Sequence, residues 1–272
     1  MPGILSFSSK SANPQARHLK VIVHGYLSAV DERDRSRLLE QLPQPAPHED
    51  ILLACWDSGN LKEMLTRSLK GAAIGFAGFN KLALARSALF AVKGGVEHFQ
   101  AKKELAARVG EVLLDELQQA LAGYPHAEQL SLYGHSLGGR VVIEALLGLA
   151  GPPTLPLHDL VLMGAARTLT AEELEQILPR LQGRLFNCYS RTDKVLLAKP
   201  GFGKWAGRHP LPDQLFPERV HNIKLDIGHS DYWSLLDGIF AKVASPQLDI
   251  DLQRPARPRK SLIPQRIRGL RK

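Results

Sequence analysis

At 272 residues and 44% hydrophobic content, the chain can bury one large core or two modest ones. Its 35 Lys+Arg against 27 Asp+Glu give a net charge of +8, yet eight of the basic residues and none of the acidic ones fall within 253–272. Residues 1–252 are therefore balanced, which argues against a nucleic-acid-binding fold and leaves the basicity to a C-terminal tail.

The N-terminal 18 residues lack the apolar core of a secretory signal. No run of 18 uncharged apolar residues occurs, so no ordinary transmembrane helix is predicted. Cytoplasmic residence is the expectation, with peripheral membrane contact open to the basic tail. Residues 18–23 (His-Leu-Lys-Val-Ile-Val) form a short β-branched run that predicts a strand, and it ends in His24-Gly25-Tyr26. A charged amphipathic helix with an aspartate cap at Asp31 is predicted over 31–42, and a proline-rich loop over 43–50. Residues 51–56 read as a second buried strand, closed by Asp57-Ser58-Gly59-Asn60. The place of Asp57 after an early strand suits a helix-capping aspartate better than a catalytic one. The two cysteines, Cys55 and Cys188, each sit inside a strand-like run, as small buried residues in a reducing compartment would.

Residues 61–95 are rich in Ala, Gly, Leu and Phe. The uncharged stretch 71–80 is too short to cross about 30 Å of hydrocarbon as a helix. Two readings stay open for an insert over about 61–97: core helices between strands, or an apolar cap over a binding site that touches lipid. A long helix is predicted over 99–121, with Leu105, Val109, Val112, Leu113, Leu117 and Leu121 at helical spacing. Gly123-Tyr124-Pro125 stops it. A strand follows from Gln129, then Gly134-His135-Ser136-Leu137-Gly138, then an apolar-periodic helix to Leu147. Further strands are predicted over 159–163, 184–190 and 222–227, and helices from a capping box at Thr170 and over 233–243. Six strand-like runs alternating with helical patterns favour a single α/β domain over 1–252, followed by a basic tail at 253–272 of the composition of a disordered extension.

Strand, Gly-x-Ser-x-Gly and helix in succession make the context of a nucleophile elbow. The turn thrusts the Ser136 hydroxyl out at the carboxyl end of a sheet, beside a helix N-terminus that favours developing negative charge. Side chains at Gly134 and Gly138 would collide with the strand or the helix. Downstream, Asp193 follows the strand at 184–190, where its ordinary use would be a turn. His229 follows the strand at 222–227, between Gly228 and an aromatic helix start. The order Ser, Asp, His at successive strand ends is the order an α/β-hydrolase requires.

With these pieces the chain resembles an α/β-hydrolase of lipase or esterase type: a mostly parallel sheet of about six or more strands, helices on both faces and a helical insert. A finer resemblance is to the poorly characterised family of transmembrane and coiled-coil domain-containing hydrolases. It is carried by Trp56-Asp57-Ser58-Gly59-Asn60-Leu61, by Gly134-His135-Ser136-Leu137-Gly138-Gly139-Arg140, by Asn187-Cys188-Tyr189-Ser190-Arg191-Thr192-Asp193-Lys194, and by Gly228-His229-Ser230-Asp231-Tyr232. The resemblance covers about residues 18–245. Relatives carry membrane-spanning helices in the insert, whereas 61–95 here is interrupted by charge.

The resemblance implies Ser136 as nucleophile, His229 as base, Asp193 as acid, and an oxyanion hole from the backbone N–H groups of Tyr26 and Leu137, supported by His24, Gly25, Gly134, His135 and Gly138. The implied activity is hydrolysis of a carboxylic ester through an acyl-enzyme. A peptidase, thioesterase or acyltransferase using the same triad, or a binding protein that keeps the fold without the chemistry, are the alternatives. No cofactor is expected, and no cluster at metal-ligand spacing appears in the sequence. The expected partners are a small ester or lipid substrate and an anionic membrane surface met by the tail; a nucleic acid is not expected.

Overall fold

The computed structural model describes residues 5–26, 32–59, 81–198, 204–247, 249–250 and 252. The aspartate cap at Asp31, most of the insert (60–80), residues 199–203 and the basic tail lie outside them.

Seven strands form one sheet in the order β1-β3-β2-β4-β5-β6-β7. They are β1 (Leu5–Ser9), β2 (His18–Val23), β3 (Glu49–Trp56), β4 (Gln129–His135), β5 (Leu157–Met163), β6 (Leu185–Ser190) and β7 (Val220–Leu225). All neighbours run parallel except β1, which pairs antiparallel with β3 at the edge. This is the α/β-hydrolase fold.

The strands are near-continuous apolar runs because both sheet faces are covered. Alternation along each strand sorts side chains between two cores. Val21, Val23, Leu130 and Leu132 join one core with Val109, Leu113 and Leu117 of α2 (Lys81–Leu121) and Val141 and Val142 of α3 (Leu137–Leu147). Ile22, Leu53, Tyr133 and Phe186 join the other, where Leu38 and Leu39 of α1 (Glu32–Gln41) meet Trp233, Leu236 and Ile239. α4 (Ala171–Ile177) starts at the capping box: Thr170 Oγ1 accepts from the Glu173 N–H, and the Glu173 carboxylate from the Thr170 N–H. α5 (Lys194–Ala198) follows β6, and a 3-10 turn over Asp231–Leu235 leads into α6 (Leu236–Ala244).

Three differences from the sequence expectation have physical causes. β1 has no counterpart among the expected strands; Leu-Ser-Phe-Ser-Ser alternates, but an edge strand needs only one apolar face and this one is mostly serine. The helix expected from Phe99 begins eighteen residues earlier, at Lys81, where the start of α2 (Lys-Leu-Ala-Leu-Ala-Arg) is made of strong helix formers. The part of the insert beyond residue 80 is thus continuous with the long helix. β7 stops at Leu225 rather than 227, because the Ser190 hydroxyl captures the Ile227 backbone, donating to its carbonyl at 2.7 Å and accepting its N–H at 3.3 Å.

In-register pairing aligns Val23 with Gly134, and Gly134 with Leu162, so the C-terminal ends of β2, β4 and β5 open on one rim. The strand order reverses between β2 and β4, the crevice where open α/β sheets place their sites. Among the described residues, no helix is long and apolar enough to cross a membrane.

Candidate active site

Ser136 occupies the turn between β4 and α3 with φ 56° and ψ −117°, a left-handed backbone that non-glycine residues rarely adopt. Three backbone bonds hold it there: its N–H donates to the Met163 carbonyl at 3.0 Å, and its carbonyl accepts from Gly139 at 3.1 Å and Ala166 at 2.9 Å. Such strain costs on the order of 1–3 kcal/mol and persists only when the surroundings over-determine it. Ser136→Gly is therefore expected to stabilise the fold by about 1 kcal/mol, net of the entropy glycine adds to the unfolded chain. Ser136→Ala keeps the Cβ and the strain, so a melting temperature of the Gly variant no higher than that of the Ala variant would contradict this.

The elbow fits because Gly25, Gly134 and Gly138 have no side chain. A Cβ at Gly138 would collide with the backbone carbonyl of Val23, so only glycine lets α3 start against the end of β2. A Cβ at Gly25 would lie 2.5 Å from Ser136 Cβ, which sets the turn after β2 directly against the serine. The N–H of Leu137, first in α3, has no partner within the helix.

The Ser136 hydroxyl lies 2.8 Å from His229 Nε2, and His229 Nδ1 lies 2.6 Å from Asp193 Oδ2. Asp193 is fully buried and Ser136 is 1% exposed. Burial opposes ionisation of Asp193, but the hydrogen bond and charge of His229 and the backbone N–H groups of Leu196 and Val195 outweigh it and hold the carboxyl below the ordinary aspartate range. An ionised carboxylate only accepts, so His229 Nδ1 carries the proton and Nε2 is free to accept from Ser136. Asp193 Oδ1 accepts from the Leu196 N–H at 3.0 Å at the start of α5. One carboxylate thus makes both the turn contact at the start of α5 and the contact to the His229 ring.

His135 fixes the loop that carries His229. The Trp233 indole can only donate, so it gives to His135 Nδ1 at 3.3 Å, and His135 Nε2–H then donates to the His229 carbonyl at 2.8 Å. His24 does equivalent work on the other side. The Trp56 N–H donates to His24 Nε2 at 3.3 Å, leaving Nδ1–H to donate to the Gly25 carbonyl at 3.0 Å. The Trp56 indole donates to the His24 carbonyl, and the two rings stack. Burial pushes the His24 pKa down to about 4, so the ring stays neutral and keeps both bonds.

A depressed histidine pKa destabilises the fold as pH falls below the unfolded value of about 6.5, because only the unfolded chain takes up the proton. The loss accumulates until pH reaches about 4. Urea unfolding at several pH values should show a stability decline over that window that is shallower in His24→Gln; equal slopes would contradict it. The contribution of Asp193, present above the ordinary aspartate range, is lost only at lower pH.

Asp57 is not part of this relay; its carboxylate meets Lys102 Nζ at 2.8 Å and accepts the Gly59 N–H. Among the described residues, no group of three or more metal-ligating side chains converges. A groove of about 1060 Å³ lies at the other end of the strands, lined by His18, Lys20, Glu49, His158 and Arg219 among others. None of Ser136, Asp193 and His229 lines it, and within it Lys20 pairs with Glu49.

A family model described as "Protein of unknown function (DUF726)" matches residues 89–243. The chain belongs to the DUF726 family. The match contains Ser136, Asp193 and His229, and agrees with the resemblance to a hydrolase family of poorly characterised function. This DUF726 chain is also 30% identical over 137 residues to the uncharacterized membrane protein F35D11.3 of Caenorhabditis elegans. The aligned part is 47% of the chain, and the chain spans about a fifth of the worm protein's length (21%). Among solved structures, the chain is similar to the LpqC poly(3-hydroxybutyrate) depolymerase of Bordetella parapertussis (14% identity, TM-score 0.48, 89% of this chain and 83% of that one). It is also similar to Zea mays acyl-protein thioesterase 2 (16% identity, TM-score 0.45, 88% and 99%). Likeness at this level leaves chemistry and substrate to the chain's own residues.

His98 was not among the residues expected at the site. It is 1% exposed on α2, with Nδ1 2.6 Å from the Tyr26 phenol oxygen. The signal was available: His98 and Lys102 continue the apolar stripe of Leu105 and Val109 at helical spacing, where two polar side chains facing the core need a reason.

Proposed function

We propose that the chain is a serine hydrolase that cleaves a carboxylic ester. The observation that carries this is the unbroken hydrogen-bonded relay from Asp193 through His229 to Ser136, ending on a serine in strained backbone. His229 Nε2 takes the hydroxyl proton as Ser136 Oγ attacks the ester carbonyl, and Asp193 stabilises the imidazolium that forms. The backbone N–H groups of Tyr26 and Leu137 receive the negative charge on the carbonyl oxygen. His229 then protonates the leaving alcohol, and the acyl group stays on Ser136 until water, deprotonated by the same nitrogen, releases the acid. The scheme uses no metal or organic cofactor.

A lipid-like ester at an anionic surface is the substrate class we favour. Three features support it: the apolar composition of 61–95, the basic tail, and Val195 and Leu197 exposed on the short helix after Asp193. The rate should be measured on p-nitrophenyl esters of increasing chain length, on an anilide and a thioester, and on phospholipid vesicles with and without anionic lipid. We expect ester cleavage that rises with chain length and with anionic vesicles. Preference for the anilide or thioester would replace the ester assignment, and short soluble esters with indifference to vesicles would overturn the lipid part.

A further inference from the structure

We infer that His98, on the long helix that continues from the insert, is a positioning residue for the oxyanion donor at Tyr26; this rests on the proposed role of Ser136. A trans peptide is planar, with its C=O and N–H pointing opposite ways. The His24 ring holds the Gly25 carbonyl, so it also sets the direction of the Tyr26 N–H in the same peptide. One tether still lets the plane tilt about the held oxygen. The second tether is the Tyr26 side chain, whose phenol oxygen meets His98 Nδ1 at 2.6 Å and whose ring meets Phe99 edge-on at 5.4 Å.

His98 is itself fixed. A Cβ at Gly59 would lie 2.6 Å from His98 Cε1, so the turn after β3 abuts the ring. One helical turn on, Lys102 is 7% exposed and joins the same turn through Asp57 at 2.8 Å. Three successive contact residues of α2 (His98, Phe99 and Lys102) thus brace the loops after β2 and β3, next to Ser136. Placement of the donor depends on α2 as well as on the sheet, and α2 runs directly on from the segment preceding residue 81.

The test is kinetic, on the full chain. It compares kcat and KM for a soluble p-nitrophenyl ester, and the affinity of a trifluoromethyl ketone that mimics the tetrahedral intermediate, in Tyr26→Phe, His98→Ala, His98→Asn and Tyr26→Phe/His98→Ala. Tyr26→Phe keeps the ring on Phe99 and the backbone N–H, so it loses only the tether. A misplaced donor should lower kcat by about 10–100-fold in Tyr26→Phe and His98→Ala, with KM within about twofold. Ketone affinity should fall in proportion to kcat/KM. The double variant should be no worse than either single, and His98→Asn, whose amide reaches the Nδ1 position, should recover most of the rate. An unchanged kcat in His98→Ala, effects that multiply in the double variant, or a loss confined to KM would overturn the inference alone. An unaltered folded chain that never reacts with a fluorophosphonate would overturn the role of Ser136, and this inference with it.

Discussion

Ser136→Ala is expected to lower kcat on a soluble ester by on the order of 10⁶ while the protein remains folded. The hydroxyl is the only atom removed, and the backbone bonds of Ser136 to Met163, Gly139 and Ala166 do not involve it. What is lost is the covalent route itself, so the residual rate should be that of a water attacking within the oxyanion hole, and should no longer depend on His229. A variant retaining a tenth of the activity would mean that another nucleophile acts, and steady-state kinetics with a circular-dichroism check of folding decides between these outcomes.

Asp193→Asn is expected to lower kcat by on the order of 10⁴, as loss of the orienting carboxylate does in a serine protease triad. The substitution is nearly isosteric in a fully buried position, so packing and the bond from Leu196 can persist. The fault lies in the tautomer. An amide that presents its NH₂ to His229 Nδ1 makes that nitrogen an acceptor, and the proton moves to Nε2, which can then no longer accept from Ser136. The stability effect has its own pH signature. The folded carboxyl titrates below the ordinary aspartate range, so the stability it contributes is present above that range and is lost as pH falls through the folded value. The stability gap between the parent and Asp193→Asn should therefore be full at neutral pH and narrow in acid. A gap that widens in acid, or a kcat within tenfold of the parent, would contradict the account.

The central sheet was legible because its strands are β-branched or apolar runs bounded by clear breaks. His18–Val23 is one example, and it was read to the residue. The capping box at Thr170 was legible for a local reason, since both of its hydrogen bonds lie within four residues. What escaped depends on partners distant in sequence. β1 exists because β3 offers it an edge, and β7 ends where a serine of β6 takes over its backbone.

The same division holds at the site. Gly134, Ser136 and Gly138 announce themselves as a motif, and Asp193 and His229 by their position after strands. His24 could be read as a turn histidine, but its work, accepting from Trp56 and holding the Gly25 carbonyl, needs a residue 32 positions away. His98 is 72 positions from Tyr26, and no local pattern marks their contact. The Tyr26 side of the site is thus less legible than the elbow, because it is assembled across β2, β3 and α2 rather than written in one turn.

The most direct test is covalent labelling of the folded chain with a fluorophosphonate, followed by mass mapping of the adduct. A single stoichiometric adduct on Ser136 is expected, absent in Ser136→Ala and strongly slowed in Asp193→Asn. A folded chain that takes no label, or carries it on another residue, would contradict it.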